Sequence, residues 1–353
     1  MRRLIEDASS DPIQRLWNPA EISNPVGRRL FAQNNEIILI DSVSILIPTR
    51  NRASSLKRLL DSLQFSTSVD DTQLEIIVIN NLSTDATSQA LMEALAEETR
   101  FPIRVLEQSK RGKSWALNLG LGQATGSVLL LLDDDVIIHK SCVGEHVAAY
   151  KENLFDAVQG KVLPGRDPDG QTADISRLRE YNIPIVDHGS AACEIRGFTG
   201  TNISFKREVF EKVGLFDTRL GPGAAGFSED TEYSRRIRQA GFKIGYSPTA
   251  IVYHELNPER YGSSYNRKVH YRKGFSRSIY REGSVTIRVL PDLVGNCFRY
   301  LAYKATGRQQ KAYRTEGRIM KCWGFLVGKF RHSEKKSVSN AIRCFSARVF
   351  RSS

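Results

Sequence analysis

The chain has 353 residues, 41% hydrophobic and 25% charged, which suits a globular protein of one large domain with an appendage, or two domains. Its net charge of +12 is uneven: from Tyr261 onward 21 lysines and arginines face four acids, +17, which leaves −5 for the rest and places a boundary near residue 260. No apolar stretch approaches the roughly 18 residues that would cross a bilayer.

The start, MRRLIEDASSDPIQRLW, has acids where a signal peptide has its apolar region, so export is not expected. Five scattered cysteines with no CxxC pair read as reduced thiols in a cytoplasm. Residues 1–40 carry loop signals such as NPAEISNPVG and no clear periodicity, and are read as an N-terminal extension.

Regular alternation begins after that extension. Val43–Ile47 is a short buried strand stopped by Pro48, and Leu56, Leu59, Leu60 and Leu63 mark one face of a helix. Glu75–Ile79 is a second strand, followed by a polar turn and a helix through Leu91, Ala94 and Leu95. IRVLEQS, KSWALNLGLGQA and SVLLLL supply a third strand, a third helix and a fourth strand. Strands alternating with helices imply a parallel sheet covered on both faces, with ligands at the carboxyl ends of its strands. PTRNR, NNLSTD and DDD all fall at such ends.

Three adjacent carboxylates, Asp133, Asp134 and Asp135, end a greasy strand and need compensation if buried. In an extended chain Asp133 and Asp135 share one side and Asp134 points away. Two carboxylates on one side suit Mg²⁺ or Mn²⁺; the competing reading is an acidic loop in solvent. Further on, FTGTNISFKREVFEKVGLFD reads as a Gly-rich turn, a short strand and a helix ended by Gly214. GAAGFSEDTEYSRRIRQAG offers a Gly-rich loop, the acidic pair Glu229–Asp230 and a helix with Tyr233, Ile237 and Ala240 on one face. Two short strands then lead to His254. RGKS is no Walker A end, because position 107 is Glu where that motif needs Gly.

PTRNR, NLSTDAT, GKSWALNLGL, LLDDDV, GTNISFKREVFEKVGLFD, SEDTEYSRRIRQAG and VYHE stand in an order and spacing that resembles family 2 glycosyltransferases of the GT-A fold, over residues 43–255. The resemblance implies an α/β GT-A domain over 41–260, with a mixed, mostly parallel sheet and helices on both faces. It implies inverting transfer of a sugar from a nucleotide-diphosphate sugar to a hydroxyl of a glycan or lipid-linked acceptor, in polysaccharide or cell-surface glycan synthesis.

By the same resemblance Asp230 is the catalytic base, although an acid at a helix N-terminus also has a dipole to interact with. Asp133, Asp135 and His254 would hold Mg²⁺ or Mn²⁺; a lone histidine is otherwise a structural residue. Pro48, Thr49, Arg52, Asn80, Asn81, Asp85, Lys113, Asp133 and Asp134 form the donor and nucleotide set. Gly200, Asn202, Glu229 and Arg236 are assigned to the sugar and acceptor pocket, Arg236 either binding phosphate or pairing with an acid. Asn80 and Asn81 depart from the family's usual aspartate. An asparagine oxygen still accepts a hydrogen bond from a uracil imide, so UDP is the leading nucleotide. Gly221–Gly226 is a candidate lid.

Residues 261–353 form a basic region with three amphipathic helical stripes. The first is Leu293, Val294, Cys297, Phe298, Leu301 and Ala302; the second Ile319, Trp323, Leu326, Val327 and Phe330; the third Ile342, Phe345 and Val349. They suit either an anionic membrane, the inner face of the cell membrane for a cytoplasmic enzyme, or packing on the catalytic domain. Aromatics interleaved with bases are too sparse for a nucleic-acid partner. A nucleotidyltransferase would want a Gly-rich phosphate loop after the first strand, which PTRNR lacks. A non-catalytic glycan-binding or scaffolding protein on this fold would be expected to lose Asp133, Asp135 or Asp230, and all three are present.

Overall fold

The computed structural model describes residues 40–67, 72–96, 99–151, 154–165, 184–281, 287 and 289–349, with the backbone alone at 332–349; the N-terminal extension and the side chains of the third apolar stripe lie outside the described residues. Nine strands and nine α-helices are described. They are β1 (Ser42–Thr49), α1 (Ala53–Gln64), β2 (Gln73–Asn80), α2 (Thr87–Ala96), β3 (Ile103–Glu107), α3 (Lys113–Gln123), β4 (Val128–Leu131), β5 (Val136–Ile138) and α4 (Cys142–Lys151) in the first half. β6 (Ala157–Pro164), β7 (Cys193–Glu194), β8 (Ile203–Lys206), α5 (Arg207–Val213), α6 (Glu229–Gln239), β9 (Ile244–His254), α7 (Ser263–Tyr280), α8 (Leu290–Ala305) and α9 (Gln309–Val349) follow.

The strands form one mixed sheet in the order β3-β2-β1-β4-β8-β6-β9-β5, with β7 on β9. β3, β2, β1 and β4 are parallel, as is the β6–β9 pair, whereas β8 runs antiparallel between β4 and β6. β1 is buried from Val43 to Thr49 because both its faces are covered. Ile45 and Ile47 join α1, α2 and α4 in one core, and Leu46 joins α3, α5 and α6 in the other. A period of two thus splits one strand between two layers of helix.

Two sequence-level expectations change. β1 continues through Pro48, because β4 pairs with it only as far as Leu46, so the missing proline N–H costs no ladder bond. The two strands expected before His254 are one, β9, whose pairing with β6 jumps from Ser247 opposite Gly160 to Ile251 opposite Lys161. Its intervening residues form a bulge that keeps both halves in one sheet.

Asn202, with φ 59°, ties this region together. Its amide donates to the carbonyls of Lys161 and Ala250, and its oxygen lies 2.8 Å from Nε2 of the buried His146, whose Nδ1 lies 2.8 Å from the Ser204 hydroxyl. The C-terminal helices belong to the same compact unit as the sheet. α7 and α9 pack closely at glycines: a Cβ on Gly274 would sit 1.9 Å from the Lys321 carbonyl oxygen, and one on Gly324 2.0 Å from that of Tyr271.

Burial holds the His146 imidazole down at about 4, against a slight upward pull from Asn202. The unfolded chain takes up this proton near pH 6.5 and the folded one does not, so stability is lost as pH falls from about 6.5 towards 4, by up to about 3 kcal/mol. Urea titrations across that window are expected to show this loss, and His146→Gln to show a shallower acid slope; equal slopes would contradict it.

Candidate active site

β1, β2 and β4 end together, and their carboxyl ends open on a cleft of about 970 Å³. β4 stops at Leu131, so the acids sit in a turn between β4 and β5 and not on extended strand. Asp133 and Asp135 still turn to one side, as expected, while Asp134 turns the other way, towards Thr49 and the Arg50 amide and not out to solvent. Its carboxylate accepts from the Thr49 hydroxyl at 2.8 Å and the Arg50 amide at 3.4 Å. Burial, with the like charge of Asp135 adding to it, pushes Asp134 up to about 7, and the Thr49 bond only partly offsets the rise.

Asp133 accepts from the ammonium of Lys113 and the hydroxyl of Thr201. Burial opposes its charge, but Lys113 and Thr201 outweigh that and hold the carboxyl below the usual range. Asp135 faces Nε2 of His254 at 3.3 Å, with the guanidinium groups of Arg52 and Arg260 at 3.8 and 3.9 Å. Nδ1 of His254 lies 2.7 Å from the Glu255 carbonyl, which only accepts, so Nδ1 donates there and Nε2 is the ring nitrogen that faces Asp135. A carbonyl orienting an imidazole in this way is the usual outer support of a metal-ligating histidine. Donor atoms of Asp133, Asp135 and His254 all lie within 4.8 Å of one another, so two carboxylate oxygens and an imidazole nitrogen form a group able to hold a divalent cation.

Asp230 stands in the first turn of α6 and lines the same cleft. One carboxylate oxygen accepts from the Gly200 amide at 2.6 Å, the other from the Thr231 amide at 2.6 Å. The segment Gly200–Thr201 thus touches both acidic centres, its amide on Asp230 and its Thr201 hydroxyl on Asp133, while its Gly200 carbonyl accepts from Lys113 at 3.3 Å. Lys113 also lies 3.7 Å from Glu229. Burial works against its charge, yet Asp133 and Glu229 more than compensate and hold the ammonium protonated. Burial raises Glu229 in turn, Lys113 pulling it back and Asp230 adding to the rise.

Pro48, Thr49, Arg52, Asn81, Lys113, Gly200 and Glu229 line the cleft with the acids and His254. Asn81 is already engaged there: its oxygen accepts from Gly112, and its amide donates to the carbonyls of Gln108 and Lys110. Four residues named from sequence are not brought to the lining. Asn80 donates to Ser88 and Glu107, and Asp85 caps the start of α2 through Thr87. Asn202 is fully buried in the β6–β8–β9 network. Arg236, assigned to the acceptor pocket, forms an i,i+4 ion pair with Glu232 and donates to the carbonyls of Val213 and Leu215, which takes up its guanidinium.

Thr201, inside the Gly200–Asn202 segment that the family resemblance assigns to the sugar pocket, also lines the cleft, whereas Arg260 and, from the C-terminal helices, Tyr265, Lys273, Arg277 and Lys321 were not foreseen. Among them only the α7 residues left a trace in sequence, a four-residue spacing that a helix turns to one face. The Gly-rich loop packs on the turn before α3: the Lys113 amide donates to the Pro222 carbonyl, and a Cβ on Gly223, where φ is +89°, would sit 2.7 Å from the Gly112 Cα.

Comparisons with known proteins bear on the fold and the family. A poly-beta-1,6-N-acetyl-D-glucosamine synthase of Staphylococcus epidermidis is 26% identical over 263 residues, 74% of this chain and 61% of the relative, so the chain spans about three fifths of that protein's length. The solved mannosyltransferase PcManGT from Pyrobaculum calidifontis, in complex with GDP-Man and Mn²⁺, superposes with a TM-score of 0.56 at 20% identity, over 82% of this chain and 86% of its own. GalNAc-T7 with UDP, GalNAc and Mn²⁺ gives 0.50 at 19% identity, over 68% and 50%. At such identities the superpositions speak to the GT-A fold alone. Residues 44–214 match the family described as Glycosyl transferase family 2, and the chain carries a glycosyltransferase domain of that family.

Proposed function

We propose that the chain moves a sugar, with inversion, from a nucleotide-diphosphate sugar to a hydroxyl of a glycan or lipid-linked acceptor, Asp230 serving as base. The observation that carries this reading is the shared cleft: the Asp133–Asp135–His254 group and Asp230 line one cavity, and Gly200–Thr201 and Lys113 join them. Direct displacement at an anomeric carbon needs a carboxylate beside the incoming hydroxyl and positive charge beside the departing diphosphate. A binding or scaffolding protein needs neither arrangement.

The Gly200 and Thr231 amides fix the orientation of the Asp230 carboxylate, so it meets the acceptor hydroxyl without reorganising. Lys113, Arg52 and Arg260 border the acids and are placed to pair with diphosphate oxygens once a donor competes for them. Asp133, Asp135 and His254 would hold the cation, which when bound neutralises charge on the leaving diphosphate. Mg²⁺ and Mn²⁺ both suit the two carboxylates, and the imidazole nitrogen tilts the choice to Mn²⁺, the ion present in PcManGT and GalNAc-T7. A UDP-sugar is the leading donor, since the Asn81 oxygen keeps a second lone pair for a base imide. Assembly of a polysaccharide or cell-surface glycan is the matching context, as the synthase relative's name suggests.

The C-terminal region completes the reading. No helix among the described residues is long and apolar enough to cross a membrane. On α8, however, Leu290, Val294, Phe298 and Leu301 are 40, 53, 70 and 63% exposed along one face, beside Arg299 and Lys304. We assign this face to an anionic membrane surface, where apolar side chains enter the headgroup boundary and the bases meet phosphates. Division into 1–40, 41–260 and 261–353 follows the same assignment.

Asp230→Asn is expected to lower kcat by about 10²–10⁴-fold with nucleotide affinity unchanged, measured over a panel of UDP- and GDP-sugars with Mn²⁺; full activity in that variant would remove the base. Asp135→Asn is expected to weaken Mn²⁺ binding, read by calorimetry, by more than about tenfold, since even outer-sphere changes cost about that much. For α8, the chain is expected to sediment with phosphatidylglycerol vesicles more than with phosphatidylcholine ones, and Phe298→Glu with Leu301→Glu to abolish the difference. Equal sedimentation of wild type with both lipids would refute the membrane assignment.

A further inference from the structure

Tyr265, Val269, Lys273 and Arg277 follow one another at four-residue steps along α7, Arg281 stands just past its end, and all five line the cleft. Lys321 of α9 joins them. Among the described residues, no carboxylate comes within ion-pair distance of Lys273, Arg277 or Lys321, although Asp133 and Asp135 at the other end of the cleft are matched by Lys113, Arg52 and Arg260. Burial and the neighbouring charges of Arg277 and Lys273 push Lys321 down. Lys273 is lowered by burial, with Asp230 pulling it back and Arg260 adding to the fall, and its ammonium sits 5.5 Å above the Phe227 ring.

Like charges in partly desolvated positions repel, and here the helix packing holds them together. The glycines that let α7 and α9 approach closely, Gly274 against Lys321 and Gly324 against Tyr271, set Lys321 beside the α7 stripe. The wall also has a definite place in the cleft. Lys273 lies over the ring of Phe227, three residues before Asp230, and Arg235 of α6 donates to the Tyr280 carbonyl at 2.8 Å, so the wall flanks the base. The opposite end already has Lys113, Arg52, Arg260 and the Asp133–Asp135–His254 group for a donor diphosphate.

We infer that the α7–α9 wall binds a phosphate or diphosphate carried by the acceptor, so that an anionic molecule presents its hydroxyl to Asp230. This deepens the transferase reading of the same cleft and rests on it. An anion seated there would relieve the repulsion among Lys273, Arg277 and Lys321, and charge-assisted hydrogen bonds to it would be strong in so sheltered a place. A neutral glycan would leave the repulsion standing.

The test is calorimetric titration of glucose 1-phosphate into the full chain, with Mn²⁺ and UDP (or GDP, whichever binds) held saturating. Wild type is expected to bind glucose 1-phosphate and not glucose. Arg277→Gln and Lys321→Gln are each expected to weaken that binding by roughly tenfold, to leave nucleotide affinity unchanged, and to melt at the same temperature or higher, since each removes a repelled charge. Lys321→Arg is expected to retain binding. Loss of nucleotide affinity with glucose 1-phosphate binding intact would assign the wall to the donor and overturn the inference, as would no binding of glucose 1-phosphate by wild type. Displacement of glucose 1-phosphate by soluble pyrophosphate supports an acceptor phosphate, whereas displacement by phosphatidylglycerol vesicles alone makes the wall a membrane contact and overturns it. Should wild type bind neither UDP nor GDP with Mn²⁺, the transferase reading fails instead, and titration of glucose 1-phosphate without nucleotide still reports on the wall.

Discussion

Three adjacent carboxylates at the end of a buried strand are electrostatically untenable without positive charge and hydrogen-bond donors around them, and much of this fold is arranged to supply both. Thr49 comes from the end of β1, Lys113 from the start of α3, Thr201 from the segment before β8, and His254 from the end of β9. Arg52 and Arg260 stand further out. Each acid receives a different partner set, and this separates their character. Asp133 is held ionised, while Asp134 is pushed up to about 7 by burial and by Asp135 beside it.

Placing Thr201 and His254 beside β4 requires the second half of the sheet. An antiparallel β8 next to β4 brings Gly200–Thr201 back over the acid turn, and β9, reaching that turn through its antiparallel pairing with β5, puts His254 opposite Val136. The Asn202–His146–Ser204 network locks this return from behind, which explains why Asn202 is wholly buried although Gly200 and Thr201 before it line the cleft. Gly200 then links the acid turn to Asp230 within two residues of chain.

The uneven charge of the chain acquires a spatial meaning in the same way. Its +17 C-terminal region does not spread its bases over solvent alone, because α7 turns every fourth residue of one stretch into the cleft and α9 adds Lys321. The apolar stripe of α8 meanwhile faces outward. One basic region therefore offers two different surfaces, a cationic wall beside Asp230 and an apolar face rimmed with bases.

Local pattern determined a good part of this protein. The leucines of α1, the buried run of β1, the strand–helix alternation through β4 and the motif order shared with family 2 domains were legible, because helical and strand periods and turn chemistry act over a few residues. The polar clusters at strand ends were legible for the same reason. What each polar side chain does was not. Asn80, Asp85, Asn202 and Arg236 carry the same donors and acceptors as residues in the cleft, yet their bonds go to Ser88, Thr87, His146 and Glu232. Thr201, Arg260 and Lys321 lie 68, 125 and more residues from Asp133 or Asp135 along the chain and meet the cleft only through sheet order and helix packing. Composition and periodicity set which elements form, whereas pairing between distant elements, which no short-range pattern encodes, decided which charges share the cleft.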